Sequence, residues 1–394
     1  MAYKTRRLLC RMTAAALCVA AASAPSAMAH DLPSAANIAA HTEAAMARSG
    51  AKGLAIAVID AGQVREVQTF GQRNEAGDPL APDTVMYAAS LTKAMFGYLV
   101  AGMADRGEID LDQPLATLLA RPLPDYGNLP AYGAWGDLAG DPRWQAITPR
   151  MALNHSTGFA NFHFLEPDGK LRIHFDPGTR YAYSGEGIML LQFGIEEGLK
   201  QSLGDLFEKQ IAQPLGLRRA GLMWRAEFAG NLADGWTADG TIEPHDERSR
   251  VRAAGSLDAS PADMAAIAAL MVRGEGLSDT AHREFSRGTL PITNRQQFPT
   301  LLPDAPPADR PAASAGLGVI AFDGPQGPGW YKGGHNDSTG NTLVCLERSQ
   351  QCVLIMANDV RAEREFPALV RLILGETGVP YQWEYPEFAA TPPR

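Results

Sequence analysis

"SLTKAMFGYLVAGMADRGEIDLDQPL", residues 90–115, opens on a serine and a lysine three positions apart and runs on as a nearly unbroken apolar segment to Asp105. Its length and composition predict a buried helix over 91–106 that stops before Gly107. A lysine inside such a helix is costly unless something uses it. If Ser90 starts the helix, the i,i+3 spacing sets both side chains on one face, with Cβ atoms roughly 5–6 Å apart. A desolvated amine has a lowered pKa and can take a proton from the hydroxyl. The positive end of the helix favours an oxyanion nearby. Ser-x-x-Lys is thus a recipe for an acylating serine. Taken alone, the tetrapeptide is explained as well by a capping serine beside a snorkelling lysine.

The N-terminus reads as an export signal. Lys4, Arg6, Arg7 and Arg11 precede the apolar run TAAALCVAAASA, and Ala27-Met28-Ala29 forms an A-x-A site, so cleavage after Ala29 is expected. The run is too short and too rich in alanine for a membrane anchor. Arg6-Arg7 hints at twin-arginine export, with ordinary Sec export as the simpler reading. Cleavage would remove four positive charges and no acid from a chain whose formal net charge is already −9. An acidic exported protein disfavours nucleic acid and anionic membrane as partners and points to a small-molecule or peptide substrate in the periplasm or outside the cell.

Strand-like runs lie at both ends of the chain. GLAIAVIDAGQVREVQTFG, residues 53–71, reads as a hairpin turning at Asp60-Ala61-Gly62. GLGVIAFD, GWYKGGH, NTLVCLE and CVLIMAND follow near the C-terminus, and EFPALVRLILGETG reads as a closing helix. Helical stretches broken by Pro/Gly loops occupy the middle. This order predicts an α+β fold: an antiparallel sheet flanked by terminal helices, with a large, mostly helical insert. The sheet part would span about 30–100 and 311–394, and the helical part about 101–310. The seam between them is the natural place for a site. Cys345 and Cys352 would face each other across a hairpin turning at 347–350, which predicts a disulfide; two free strand cysteines are the alternative.

Further segments repeat a known pattern in order. Gly107–Pro114, GEIDLDQP, fits "GxLxLDxP". ITPRMALNHSTGF (147–159) fits "ITxxxLLxHTSG", and FDPGTRYAYSGEGIMLLQ (175–192) fits "FxPGxxxxYSNxGYxLL". IAQPLGL (211–217), AAGSLDASPADMA (253–265), GLGVIAF (316–322), YKGGHN (331–336) and VLIMAND (353–359) follow. Over almost the whole chain after residue 29, the sequence resembles the serine β-lactamase and penicillin-binding family, in its class C and esterase-like branch. The resemblance implies that Ser90 is the nucleophile and Lys93 its activator. It implies that Tyr183 shuttles a proton, with a pKa depressed by two ammonium groups. Lys332 would position substrate, and the backbone N–H groups of Ser90 and His335 would form the oxyanion hole. No metal or cofactor is implied.

Two positions depart from that pattern. Gly185 stands where the family's substrate-holding asparagine is expected, and Gly333 replaces the threonine of Lys-Thr-Gly, followed by Gly334. Both losses favour an esterase or peptidase-like hydrolase over a dedicated β-lactamase. A non-catalytic sensor of cell-wall fragments or β-lactams is the alternative from another class. Glu186 reads as a solvated acid, with partial replacement of the missing asparagine as the alternative; His155 reads as a fold-holding residue, and Asp110 and Asp112 as turn caps. The His335 imidazole is read equally as facing the cleft or lying at the surface. No H-E-x-x-H or G-x-S-x-G motif is present.

Overall fold

The computed structural model describes residues 31–386, so the expected signal peptide lies outside the described residues. The hairpin near the N-terminus forms as expected, from β1 (Gly53–Asp60) and β2 (Gln63–Gly71). Ala61 and Gly62 both adopt positive φ, as a tight two-residue turn matched to strand twist requires. The large sheet also contains β3 (Leu290–Pro291), β4 (Ala313–Ala315), β5 (Ile320–Gly324), β6 (Gly327–His335), β7 (Gly340–Leu346) and β8 (Gln351–Ala357). Their order across the sheet is β3-β4-β5-β6-β7-β8-β1-β2, and every pairing is antiparallel. The two ends of the chain therefore meet where β8 pairs with β1.

Alternation along the central strands explains why they are apolar throughout. Leu54, Ile56 and Val58 of β1, with Val353 and Ile355 of β8, pack into one core. That core includes Ile38 of the helix Ala35–Ser49, and Phe366, Val370 and Ile373 of the helix Phe366–Leu374. Ala55, Ala57 and Ile59, with Leu354 and Met356, face a second core built on the helices Leu91–Asp105 and Pro261–Arg273. A sheet covered on both faces carries no polar alternation. Each buried Leu or Ile contributes about 1.5–3 kcal/mol over leaving it in water. The terminal helices thus flank one face of an antiparallel sheet.

Cys345 and Cys352 are direct partners in the β7–β8 register and form a disulfide across the turn at 347–350. Among the described residues, no helix is long and apolar enough to cross a membrane.

The helix Leu91–Asp105 is buried on all sides from Leu91 to Met103, so it shows no solvent face. Its N-terminus is pressed against β6. A Cβ added to Gly334 would sit 2.9 Å from Ala88 O, Ser90 N and Leu91 N, so only glycine allows this approach. Asn341 of β7 joins the two parts, donating from Nδ2 to Gly334 O (2.9 Å) and Tyr87 O (3.1 Å). Ala89, just before the serine, is held at φ 48°, a left-handed conformation unusual for a residue with a Cβ.

Candidate active site

Ser90 does not cap its helix with its side chain. Its Oγ instead accepts from Lys93 Nζ at 2.9 Å and from Tyr183 Oη at 2.8 Å. Lys93 does not snorkel: it is 2 % exposed, and Nζ also donates to Ala254 O at 2.5 Å. The capping-and-snorkelling explanation of the tetrapeptide therefore fails on both counts. Burial pulls the Lys93 amine well below the ordinary lysine range, and the charges of Lys332 and Arg252 push the same way. A lysine with no charge has a lone pair free for a proton.

Tyr183 sits just before the helix Gly185–Phe193, which Ser184 caps by accepting from Gly187 N. His155 holds this turn. It is buried, accepts from Ser184 N at 3.2 Å, and lies 4.5 Å from the Tyr183 ring. Both lysine ammonium positions lie over the Tyr183 ring, at 4.9 Å for Lys93 and 5.1 Å for Lys332. The expected depression of the Tyr183 pKa does not occur. Burial raises it above the ordinary tyrosine range, and the Ser90 hydrogen bond offsets only part of that. The phenol is starved of water, which penalises its anion, and the Glu384 charge adds to the rise. It remains a protonated donor.

Lys332 lies on β6, 4 % exposed, and donates from Nζ to Gly333 O at 2.6 Å. Burial lowers its pKa, and the Glu384 carboxylate opposes that shift. Burial in turn pushes the Glu384 carboxyl up to about 7, with Lys332 resisting. Ser90, Lys93, Tyr183, Lys332, Gly333, Gly334 and His335 all line one cavity of about 1100 Å³. The His335 imidazole is half exposed at its rim, 3.3 Å from Glu363 Oε1 and stacked on Phe298. Glu363 raises its pKa.

Gly185 is not brought to the cavity wall. The ring of Phe162 occupies the space a side chain there would need. Glu186 is not solvated, contrary to the sequence reading. It is 1 % exposed and accepts from His163 N, with His163 Nδ1 3.0 Å from its Oε1. Asp110 does cap its turn, accepting from Asp112 N at 2.9 Å.

Sequence reasoning missed three groups at the cavity. Asn161 lines it and accepts from Gly185 N at 3.0 Å, which brings an amide close to the position where one was missed. Ala254 supplies the carbonyl that orients Lys93; its segment was matched, but not its role. Glu384 comes from YQWEYP, a stretch with no motif, and only the unexpected Gly333 signalled that something else fills that space.

A hydroxyl held between a phenol and an amine whose pKa is lowered by burial can lose its proton to that amine and attack an electrophilic carbon. This geometry belongs to a known class. A model of the Beta-lactamase family matches residues 38–376, and the chain belongs to that family, whose members are typically serine hydrolases. Among curated proteins, the D-alanyl-D-alanine-carboxypeptidase/endopeptidase AmpH of Escherichia coli K12 is 26% identical over 192 residues, 43% of this chain and 45% of that protein. Esterase EstB of Burkholderia gladioli is 27% identical over 172 residues, 40% of this chain and 43% of its own. The matched regions thus span less than half the length of either relative. The octameric penicillin-binding protein homologue from Pyrococcus abyssi superposes with a TM-score of 0.69 at 19% identity, covering 91% of this chain and 80% of its own. A class C beta-lactamase gives 0.67 at 14% identity, covering 86% and 95%. These likenesses establish the β-lactamase/transpeptidase-like fold.

Proposed function

We propose that the protein is an exported serine hydrolase that acts through an acyl-enzyme on esters, with amides as the related substrate class. The observation that carries this reading is the paired hydrogen bonding at Ser90 Oγ, with the Lys93 amine buried beside it and its pKa pulled down by that burial. Ser90 gives its proton to Lys93 as Oγ bonds to the substrate carbonyl carbon. The backbone N–H groups of Ser90 and His335 receive the developing oxyanion. Tyr183, protonated because it is buried, gives its proton to the leaving alkoxide as the carbon–oxygen bond breaks, and the Lys93 ammonium makes up that proton. Water then attacks the acyl carbon, losing a proton to Lys93; the adduct collapses to the acid by expelling Ser90 Oγ, which takes that proton back from Lys93.

Esters are favoured over β-lactams because Gly185 and Gly333 lack the side chains expected to hold a β-lactam. The aromatic wall of Phe162, Phe164 and Phe298 suits an uncharged, apolar substrate. The named activities of the relatives AmpH and EstB bracket the same chemistry. Export is supported by the Cys345–Cys352 disulfide, a bond that persists in oxidising compartments.

The test is turnover of a p-nitrophenyl ester, nitrocefin and a D-Ala-D-Ala peptide by wild type and Ser90→Ala, with intact-mass detection of an acyl adduct. Ester turnover and an adduct that both vanish in Ser90→Ala are expected. Turnover surviving the substitution, or no turnover and no adduct with any substrate, overturns the assignment.

A further inference from the structure

Lys332 is a buried ammonium on the wall of the reactive cavity and is the natural docking point for a substrate anion. A carboxylate of the protein already stands near it, while Nζ itself donates to Gly333 O at 2.6 Å. Glu384 reaches the wall from the short helix Tyr381–Glu384, and its Oε1 occupies the space where a Cβ on Gly333 would be. Only glycine at 333 leaves room for it. The carboxylate, by its charge, opposes through space the loss of the Lys332 proton that burial favours. It is also fixed in place. Neighbouring Trp383 is 2 % exposed, donates from Nε1 to Asn294 Oδ1 at 3.2 Å, and packs on Tyr181, while Trp383 O accepts from Gln297 N. Tyr385 on the other side is buried too. The segment is therefore part of the cavity wall rather than a loose strap.

We propose that Glu384 is a specificity-determining residue that fills the anion position beside Lys332 and restricts the enzyme to substrates uncharged there. A substrate carboxylate would have to displace Glu384 and meet its charge, whereas a neutral ester leaves the Lys332–Glu384 arrangement intact. The idea rests on the hydrolase reading for what is selected, but not for what binds. Like-charge exclusion is a specificity device that need not add affinity for the favoured ligand.

Benzoate binding tests it without any acylation. Wild type, Glu384→Ala and Glu384→Gln are titrated with benzoate at pH 8 by calorimetry, after thermal melts confirm folding. Glu384→Ala removes both bulk and charge; Glu384→Gln keeps the bulk. Benzoate is expected to bind Glu384→Ala at least tenfold more tightly than wild type, with Glu384→Gln between them. Equal binding to wild type and a folded variant, or binding to none of them, overturns the proposal. A parallel comparison of phenylboronic acid with 3-carboxyphenylboronic acid reads the same preference at Ser90. Wild type should favour the uncharged boronate, and Glu384→Ala should narrow that ratio. Boronate inhibition that persists in Ser90→Ala would count against the hydrolase reading alone, leaving the benzoate result to decide the role of Glu384.

Discussion

Lys93 and Lys332 face the same tyrosine ring from nearly equal distances, yet the protein treats them differently. Every influence on Lys93 lowers its pKa: burial first, then the charges of Lys332 and Arg252. Lys332 is buried as well, but Glu384 opposes the loss of its proton. The residue type does not set the role. The presence or absence of a nearby carboxylate makes one lysine suited to accept a proton and the other suited to remain a cation.

The largest test of this contrast exchanges proton transfer for permanent charge. Lys93→Arg is expected to lower ester kcat/KM on the order of 10³–10⁴-fold, because a guanidinium cannot act as base. Lys332→Arg, which keeps the charge, should lose at least tenfold less. Equal losses in a steady-state assay would break the distinction. Tyr183→Phe comes next, with a loss on the order of 10²-fold in kcat. It should fall more on a poor alkoxide leaving group than on p-nitrophenolate, and a uniform loss across leaving groups would remove the acid role.

Gly334→Ala sharpens the comparison from the β6 side, since its Cβ would press on the backbone at Ser90. A stability loss of about 1–3 kcal/mol, with a roughly tenfold drop in turnover, is expected in denaturant titration and ester assay. The smallest effect is on stability and its pH dependence. The folded-state pKa of Lys93 is depressed, so the unfolded chain binds more protons below the ordinary lysine range. Wild-type stability should then rise with pH towards that range, and near neutrality the buried amine costs stability. Lys93→Met should flatten this slope and gain about 0.5–2 kcal/mol at pH 7. Lys332→Met should gain nothing, because it leaves Glu384 without its cation. Urea titrations at several pH values check both.

The strands, the hairpin turns and the Ser90 helix were legible because alternation, turn residues and an apolar run are local signals. The two-sided burial of β1 and β8 was not read from their apolar runs; it became visible only when each face of the sheet was found covered by helices. Ser90 and Lys93 were readable from spacing, whereas Tyr183 and Lys332 became readable only through an ordered resemblance. The raised pKa of Tyr183 was not legible, because it depends on how little water reaches the phenol. Glu186 was misread because its partner, His163, lies 23 positions away and nothing local marks the pair. Glu384 sits 51 residues beyond Gly333, and no spacing rule connects a missing side chain to the distant residue that replaces it.

The Asn341 bridge has a consequence for the order in which this protein becomes active. It joins Gly334 to Tyr87, partners 254 positions apart in the second case. Contacts so distant in sequence close late, after the loop between them has been ordered. A chain still being synthesised up to residue 326 would carry Ser90, Lys93 and Tyr183 but none of β6. Acylation of Ser90 by a fluorescent probe would therefore report that synthesis has passed β7 and that β6 has docked against the start of the Ser90 helix.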